Sequence, residues 1–202
     1  KSKGSEFMAK KNARNTRSKI INAAWKLFYE QGYDDTTIEE IIDESGTSKG
    51  SFYHYFGGKD ELLGTLSNIF DDKYEELEPT LANYPTAMEK LLHLNRELFS
   101  LIENGIPIEL LTRLLSTQLI TAGNKHLLDK NRIYFKILRK IIVDGQEKGE
   151  LTQAMSSGEM IKIYAMCERA LMYDWCLCGG EYSLSQYSRK MLPEFISCFV
   201  NK

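Results

Sequence analysis

The stretch Thr37-Ile38-Glu39-Glu40-Ile41-Ile42-Asp43-Glu44-Ser45-Gly46-Thr47-Ser48-Lys49-Gly50-Ser51-Phe52-Tyr53-His54-Tyr55-Phe56 decides the fold. Thr37 followed three residues later by Glu40 reads as a capping box, and Ile38, Ile41 and Ile42 form the apolar stripe of a short helix ending near Ser45. Gly46-Thr47-Ser48 turns the chain. Ser48 can cap a further short helix, Lys49 to Tyr55, whose Phe52, Tyr55 and Phe56 face inward at spacings of three and four. Two short helices joined by a glycine-containing turn are a helix-turn-helix, which lays its second helix in the DNA major groove. That helix keeps Lys49, Gly50, Ser51, Tyr53 and His54 on or near its outer face, residues suited to phosphate and base-edge contacts rather than to packing.

Upstream, Ile20, Ile21, Ala24, Leu27 and Phe28 recur at helical spacing from Thr16 onward, and Gly32 supplies the stop. Residues 8–60 carry eight Lys or Arg against eight Asp or Glu, so net charge does not single out this half as a DNA binder. Distribution is more informative. Lys10, Lys11, Arg14, Arg17 and Lys19 come with no acid among them and form a basic arm suited to phosphates, with a merely solvated leader as the alternative. The acids from Glu30 to Glu44 are expected on the side turned away from DNA.

With Lys59-Asp60-Glu61-Leu62-Leu63 following, residues 14 to 65 resemble the N-terminal domain of the TetR family of transcriptional regulators. The resemblance implies an all-α homodimer: an N-terminal three-helix helix-turn-helix domain, then a six-helix ligand-binding and dimerisation bundle. It also implies a ligand-responsive regulator, in most cases a repressor, that binds a palindromic double-stranded DNA operator and is released by a small-molecule effector. On the family's pattern Tyr53 and His54 contact the DNA backbone, and Thr37 opens the helix whose N-terminus points at a phosphate. Lys59 would neutralise another phosphate. Thr47, Ser48, Lys49 and Ser51 would read bases or nearby phosphates, and Gly50 would allow close approach. Ser48 is also a cap candidate.

The boundaries expected from this reading are a tag remnant over 1–7, the DNA-binding domain over 8–58, and the effector-binding and dimerisation domain over 59–202. Helices are expected over 59–77, 86–103, 108–121, 125–148, 157–178 and 184–200, with a kink or a late start around Pro193. Residues 161–175 and 187–200 carry more large apolar side chains than one inward face uses, so Met172, Trp175, Met191, Phe195 and Phe199 are candidates for the dimer interface. Leu92, Arg96, Phe99, Gln118, Tyr134 and Glu168 are candidates for the effector pocket, since bundles place ligands between helices. An effector there would shift helix 59–77 and spoil the half-site spacing.

The 202 residues, 43% hydrophobic and 27% charged with four prolines, exclude a disordered or collagen-like chain. The most apolar stretch, Met160 to Cys178, contains Lys162, Glu168, Arg169 and Asp174, so no membrane span is expected. No export signal is legible, and a cytoplasmic location is expected. Cys167, Cys176, Cys178 and Cys198 lack the Cys-x-x-Cys spacing of zinc or redox sites. No metal, cofactor or enzymatic activity is expected. An activator or a ligand-independent DNA-binding regulator is the alternative function, and a small helical cysteine enzyme a remote one.

Overall fold

The computed structural model describes the backbone of residues 2–120 and 125–200, and side chains within that range from residue 15 onward. No strand occurs among the described residues. The chain divides into two compact units, Lys1–Leu66 and Ser67–Lys202.

The first unit contains α1 (Ser2–Gln31), α2 (Ile38–Ser45), α3 (Lys49–Tyr55) and α4 (Lys59–Leu63). α1 begins well before Thr16, where the apolar periodicity starts. The side chains of Lys10, Lys11 and Arg14, three members of the expected basic arm, lie outside the described residues. Ile20, Ala24, Phe28, Ile41, Phe52, Phe56, Leu62 and Leu63 form the core, each at most 1% exposed. α2 and α3 follow the limits set by their caps. Thr37 Oγ1 accepts from Glu40 N (3.2 Å) while Glu40 Oε2 accepts from Thr37 N (2.7 Å). Gly46 takes the left-handed conformation (φ 61°) that closes α2, and Ser48 Oγ accepts from Ser51 N (3.1 Å) to open α3.

The helix expected over 59–77 is broken. α4 stops at Leu63, and α5 (Leu66–Leu77) begins after a tight turn at Gly64-Thr65. The cause is a polar side chain: Thr65 Oγ1 donates to Leu62 O (2.6 Å) and accepts from Trp25 Nε1 (2.8 Å), both in buried surroundings. A hydroxyl bonded back to a carbonyl of the preceding turn competes with the helical ladder.

In the second unit α6 (Ala87–Gly105), α7 (Ile108–Ile120), α8 (Ile133–Glu147), α9 (Ser157–Leu177) and α10 (Leu184–Phe195) follow α5. α6 packs on α8 and α10, and α9 packs on α7, α8 and α10. Capping boxes at Thr86–Glu89 and Ser156–Glu159 open α6 and α9. α8 starts at Ile133 rather than near 125. Asp129 Oδ1 accepts from Asn131 N (2.9 Å), an Asx turn that holds this segment out of helix after a 3₁₀ turn at His126–Leu128. α10 begins where its spacing predicts and neither starts late nor continues to 200. Pro193 lies in its last turn, the helix ends at Phe195, and a 3₁₀ turn covers Ser197–Phe199.

The interior of this unit holds one polar chain. Glu168 on α9 is 2% exposed, and its Oε1 accepts from Asn95 Nδ2 (2.9 Å) while its Oε2 accepts from Tyr134 Oη (2.7 Å). Ser188 Oγ on α10 donates in turn to Asn95 Oδ1. Four helices, α6, α8, α9 and α10, are thereby tied by side-chain hydrogen bonds at a buried point, where each donor and acceptor must be matched. Burial pushes the Glu168 carboxyl above its ordinary range, against the opposing pull of its hydrogen bonds from Asn95 and Tyr134.

Because the folded carboxyl holds its proton more tightly than the unfolded one, its favourable contribution is complete at low pH. It is lost as pH rises from the ordinary carboxylate range through the folded pKa. Urea denaturation of the wild type should therefore show stability falling over that interval, and Glu168→Gln should be flatter there; parallel profiles would count against an ionisable group buried at this point. Gly145 on α8 is a second sensitive position, since an added Cβ would lie 2.6 Å from Ala87 Cβ and 2.9 Å from Leu151 side-chain carbons. Gly145→Ala should destabilise the protein by about 1–3 kcal/mol in the same assay.

Candidate nucleic-acid interface and internal cavity

The outer face of α3 is set by what its inner face buries. Phe52 and Phe56 are 0% and 1% exposed, and Tyr55 is half-buried. Helical geometry then leaves Lys49, Gly50, Tyr53 and His54 outward, and all four are exposed. The Tyr53 ring stands edge-on to Phe52 at 5.3 Å, so its position is fixed from below while half its surface is open. His54 meets Tyr55 in the same way at 4.7 Å. Gly50 is free of internal demands: a Cβ there would meet only Ser48 Oγ, at 3.9 Å, and its backbone is not left-handed. Nothing inside the unit explains a glycine in the first turn of this helix.

The remaining polar candidates are partly committed within the unit. Ser48 Oγ pairs with Ser51 Oγ (2.9 Å) as well as capping α3, and Thr47 Oγ1 pairs with Ser45 Oγ (2.7 Å). Lys49 Nζ lies 3.4 Å from Glu39 Oε1, with both side chains about two-thirds exposed. An exposed pair of this kind is worth little and exchanges readily for another anion. At Thr37 the N-terminus of α2 already holds the Glu40 carboxylate, which the Thr37 amide and hydroxyl keep below its ordinary pKa range. Only the other amides of that first turn remain for an external anion.

Lys59 is placed differently from the expectation that it meets a phosphate. Its Nζ donates to the carbonyls of Thr36 (2.5 Å) and Tyr33 (2.7 Å), reaches Asp34 O at 3.4 Å, and stands 4.6 Å from the centre of the Tyr33 ring. Tyr33 Oη donates to Asp60 Oδ1 (2.5 Å). The ammonium thus pins the loop between α1 and α2, a partner set that depends on residues some 25 positions away and so has no local signature. Of the basic arm, Arg17 lies over the Phe56 ring at 5.2 Å and Lys19 is exposed.

The second unit has a cavity of about 30 Å³ among α5, α6, α7, α8 and α9. Tyr134 and Glu168 line it together with Phe70, Tyr74, Leu98, Leu114, Arg132 and Met172. The other pocket candidates lie elsewhere. Leu92 and Arg96 border an outer groove beside Tyr84, His93 and Arg189; Phe99 is wholly buried; and Gln118 Oε1 accepts from Leu127 N (3.2 Å). A mixed polar and apolar helix face does not say which of two neighbouring spaces it borders, so the six candidates divide among these places. Missed altogether were Tyr74 and the Arg132–Asp71 pair (2.9 and 3.0 Å), which depend on a contact 61 residues apart.

Of the interface candidates on α9 and beyond, Met172, Trp175 and Phe199 are 6%, 5% and 0% exposed within the single chain. They are core residues and offer no surface to a partner. Trp175 Nε1 donates to Tyr182 O (2.8 Å), and Phe199 O accepts from Thr152 N (2.8 Å). Met191 is half-buried and Phe195 exposed, and the apolar residues left outward on α9 are Met166, Tyr173 and Leu177. Burial pushes the Cys167 and Cys176 thiols up, away from the reactive thiolate, while Cys178 and Cys198 are exposed. No described helix is long and apolar enough to cross a membrane.

Residues 20–66, which contain this helix-turn-helix, match the family model of bacterial regulatory proteins of the tetR family. The HTH-type transcriptional regulator HbdR of Aromatoleum is 44% identical over 78 residues, which span 38% of this chain but only 34% of HbdR. Similarity to the HTH-type transcriptional regulator QacR of Staphylococcus aureus extends further, with 31% identity over 142 residues, 67% of this chain and 73% of QacR. Among solved structures, the TetR-family transcriptional repressor FadR of Thermus thermophilus, in complex with lauroyl-CoA, superposes with a TM-score of 0.75 at 22% identity, over 92% of this chain and 96% of FadR. The capped helix pair, its exposed second helix and a similarity that runs on into the helical second unit lead to one conclusion: this chain belongs to the TetR family of bacterial transcriptional regulators and carries that family's DNA-binding helix-turn-helix.

Proposed function

We propose that the protein acts as a homodimeric repressor that binds a near-palindromic operator through α3 and releases it when a small molecule enters the cavity of the second unit. The observation that carries the DNA-binding surface is the contrast within α3, where Phe52 and Phe56 are buried while Gly50, Tyr53 and His54 face solvent and nothing inside the unit calls for the glycine. Tyr53 and His54 contact the DNA backbone, Lys49 exchanges Glu39 for a phosphate, and Gly50 lets the helix backbone approach. Thr47, Ser48 and Ser51 offer hydroxyl groups at the turn. Lys59 serves this surface indirectly, by holding the loop that leads into Thr37.

Dimerisation is supported by the apolar side chains that α9 and α10 leave outward: Met166, Tyr173, Leu177, Tyr187 and Phe195 are each at least 41% exposed. A two-fold dimer on a palindromic operator would need its two copies of α3 about one DNA turn apart, roughly 34–36 Å. The effector reading is supported by the cavity's apolar wall with few polar groups and by the lauroyl-CoA bound to the Thermus relative. At about 30 Å³ the cavity must enlarge to hold more than a water-sized guest, so an effector would displace its walls. α5 contributes Phe70 and Tyr74 to those walls and begins at Leu66, the last residue of the first unit.

Duplexes selected from a random library supply the test substrate. Tyr53→Ala should weaken binding about tenfold or more with an unchanged thermal melt, and unchanged affinity would remove Tyr53 from the contact surface. Gly50→Ala should separate stability from function: alanine favours the helix by about 0.5–1 kcal/mol, so the variant should melt higher yet bind DNA more weakly. Binding should fall with salt at a log-log slope of about −0.9 per phosphate neutralised, and a flat response would contradict a backbone-contact mode.

A further inference from the structure

Tyr74 lines the cavity and is 1% exposed. Among the described residues, its hydroxyl is the one buried side-chain oxygen or nitrogen with no hydrogen-bond partner. Native interiors leave few such groups open, and each calls for a reason. The neighbouring tyrosines show what satisfied ones look like: Tyr134, its ring 5.0 Å away, donates to Glu168, and Tyr164 Oη donates to Leu91 O (2.8 Å). Burial holds the Tyr74 phenol well in its protonated form, so it has a proton to give.

Arg132 at the wall is paired with Asp71, and Glu168 is held by Asn95 and Tyr134, so neither is free to compensate the charge of an ion taken out of water. The rest of the wall is largely apolar, with Phe70, Leu98, Leu114 and Met172. A ligand that only accepts needs one donor, which Tyr74 supplies.

We propose that the cavity takes an uncharged, mainly apolar molecule with a hydrogen-bond acceptor such as a ketone or ester carbonyl, and that Tyr74 Oη donates to that acceptor. This rests on the reading of the cavity as the effector site, and the variants below separate the two. Calorimetric titration of the full chain with 2-octanone and acetophenone, against octane, ethylbenzene, octanoate and octylammonium, reads the ligand class. At least one ketone should bind the wild type more tightly than its hydrocarbon and than either ion. Tyr74→Phe should weaken that ketone about tenfold and leave the hydrocarbon unchanged. The same substitution should raise the melting temperature of the ligand-free protein, because it deletes an unpaired buried hydroxyl; a lower melting temperature would mean that the hydroxyl is already satisfied, by a trapped water or otherwise, and would overturn the proposal. So would equal ketone binding by Tyr74→Phe, tighter binding of either ion, or failure of both ketones to bind. Ala165→Leu, which narrows the cavity, should abolish ketone binding. Persistence there would sink the effector-site reading itself, whereas loss there together with full binding by Tyr74→Phe would leave that reading intact and remove only the role of Tyr74.

Discussion

The burial of Phe52 and Phe56 beneath α3 is the constraint on which the DNA-binding surface depends. A seven-residue helix is too short to be stable alone, and its conformation is maintained by its Ser48 cap and by these two rings. Fixing the rings inward fixes Tyr53 and His54 outward, since helical geometry allows no other choice. The rest of the first unit serves that placement. The αL turn at Gly46 sets the angle between α2 and α3, Arg17 on α1 covers the Phe56 ring, and Lys59 anchors the loop ahead of Thr37 through carbonyl oxygens.

The second unit solves a different problem. Its helices gather a carboxyl, an amide and two hydroxyls at a buried point, where Glu168, Asn95, Tyr134 and Ser188 satisfy one another. A purely apolar centre would avoid the desolvation cost, and a polar chain of this kind links α6, α8, α9 and α10 by directional bonds that sliding or rotation would break. The small cavity lies against this chain, with Tyr134 and Glu168 belonging to both. A guest that moves either residue therefore acts on the hydrogen bonds that extend to Ser188 on α10.

Local rules carried the sequence reading where the determinants were local. The capping box at Thr37–Glu40, the Ser48 cap and the Phe52–Phe56 spacing placed α2 and α3, and the inward and outward faces of α3 followed from the same four-residue period. Partners distant in sequence were not legible. The Thr65 hydroxyl that breaks the helix after α4 also receives Trp25 Nε1 from forty residues earlier, and the carbonyls that hold Lys59 come from the loop before α2, more than twenty positions away. Asp129, by contrast, held a local signal: an Asx residue two positions before Asn131 delays α8, and apolar periodicity alone overlooks it. Surplus hydrophobicity in α9 and α10 marks two crowded helices without separating the side chains buried within the chain, such as Trp175 and Phe199, from those left exposed, such as Tyr173 and Leu177.

The outward face of α3 is the surface proposed to meet DNA. Photo-crosslinking tests it most directly, with a benzophenone side chain placed at position 53 or, as a control, at position 44 on α2, where Glu44 pairs with Lys26 at 2.8 Å. Covalent capture of a library-selected duplex is expected from position 53, and little from position 44. Equal capture from both positions, or capture from 44 alone, would contradict it.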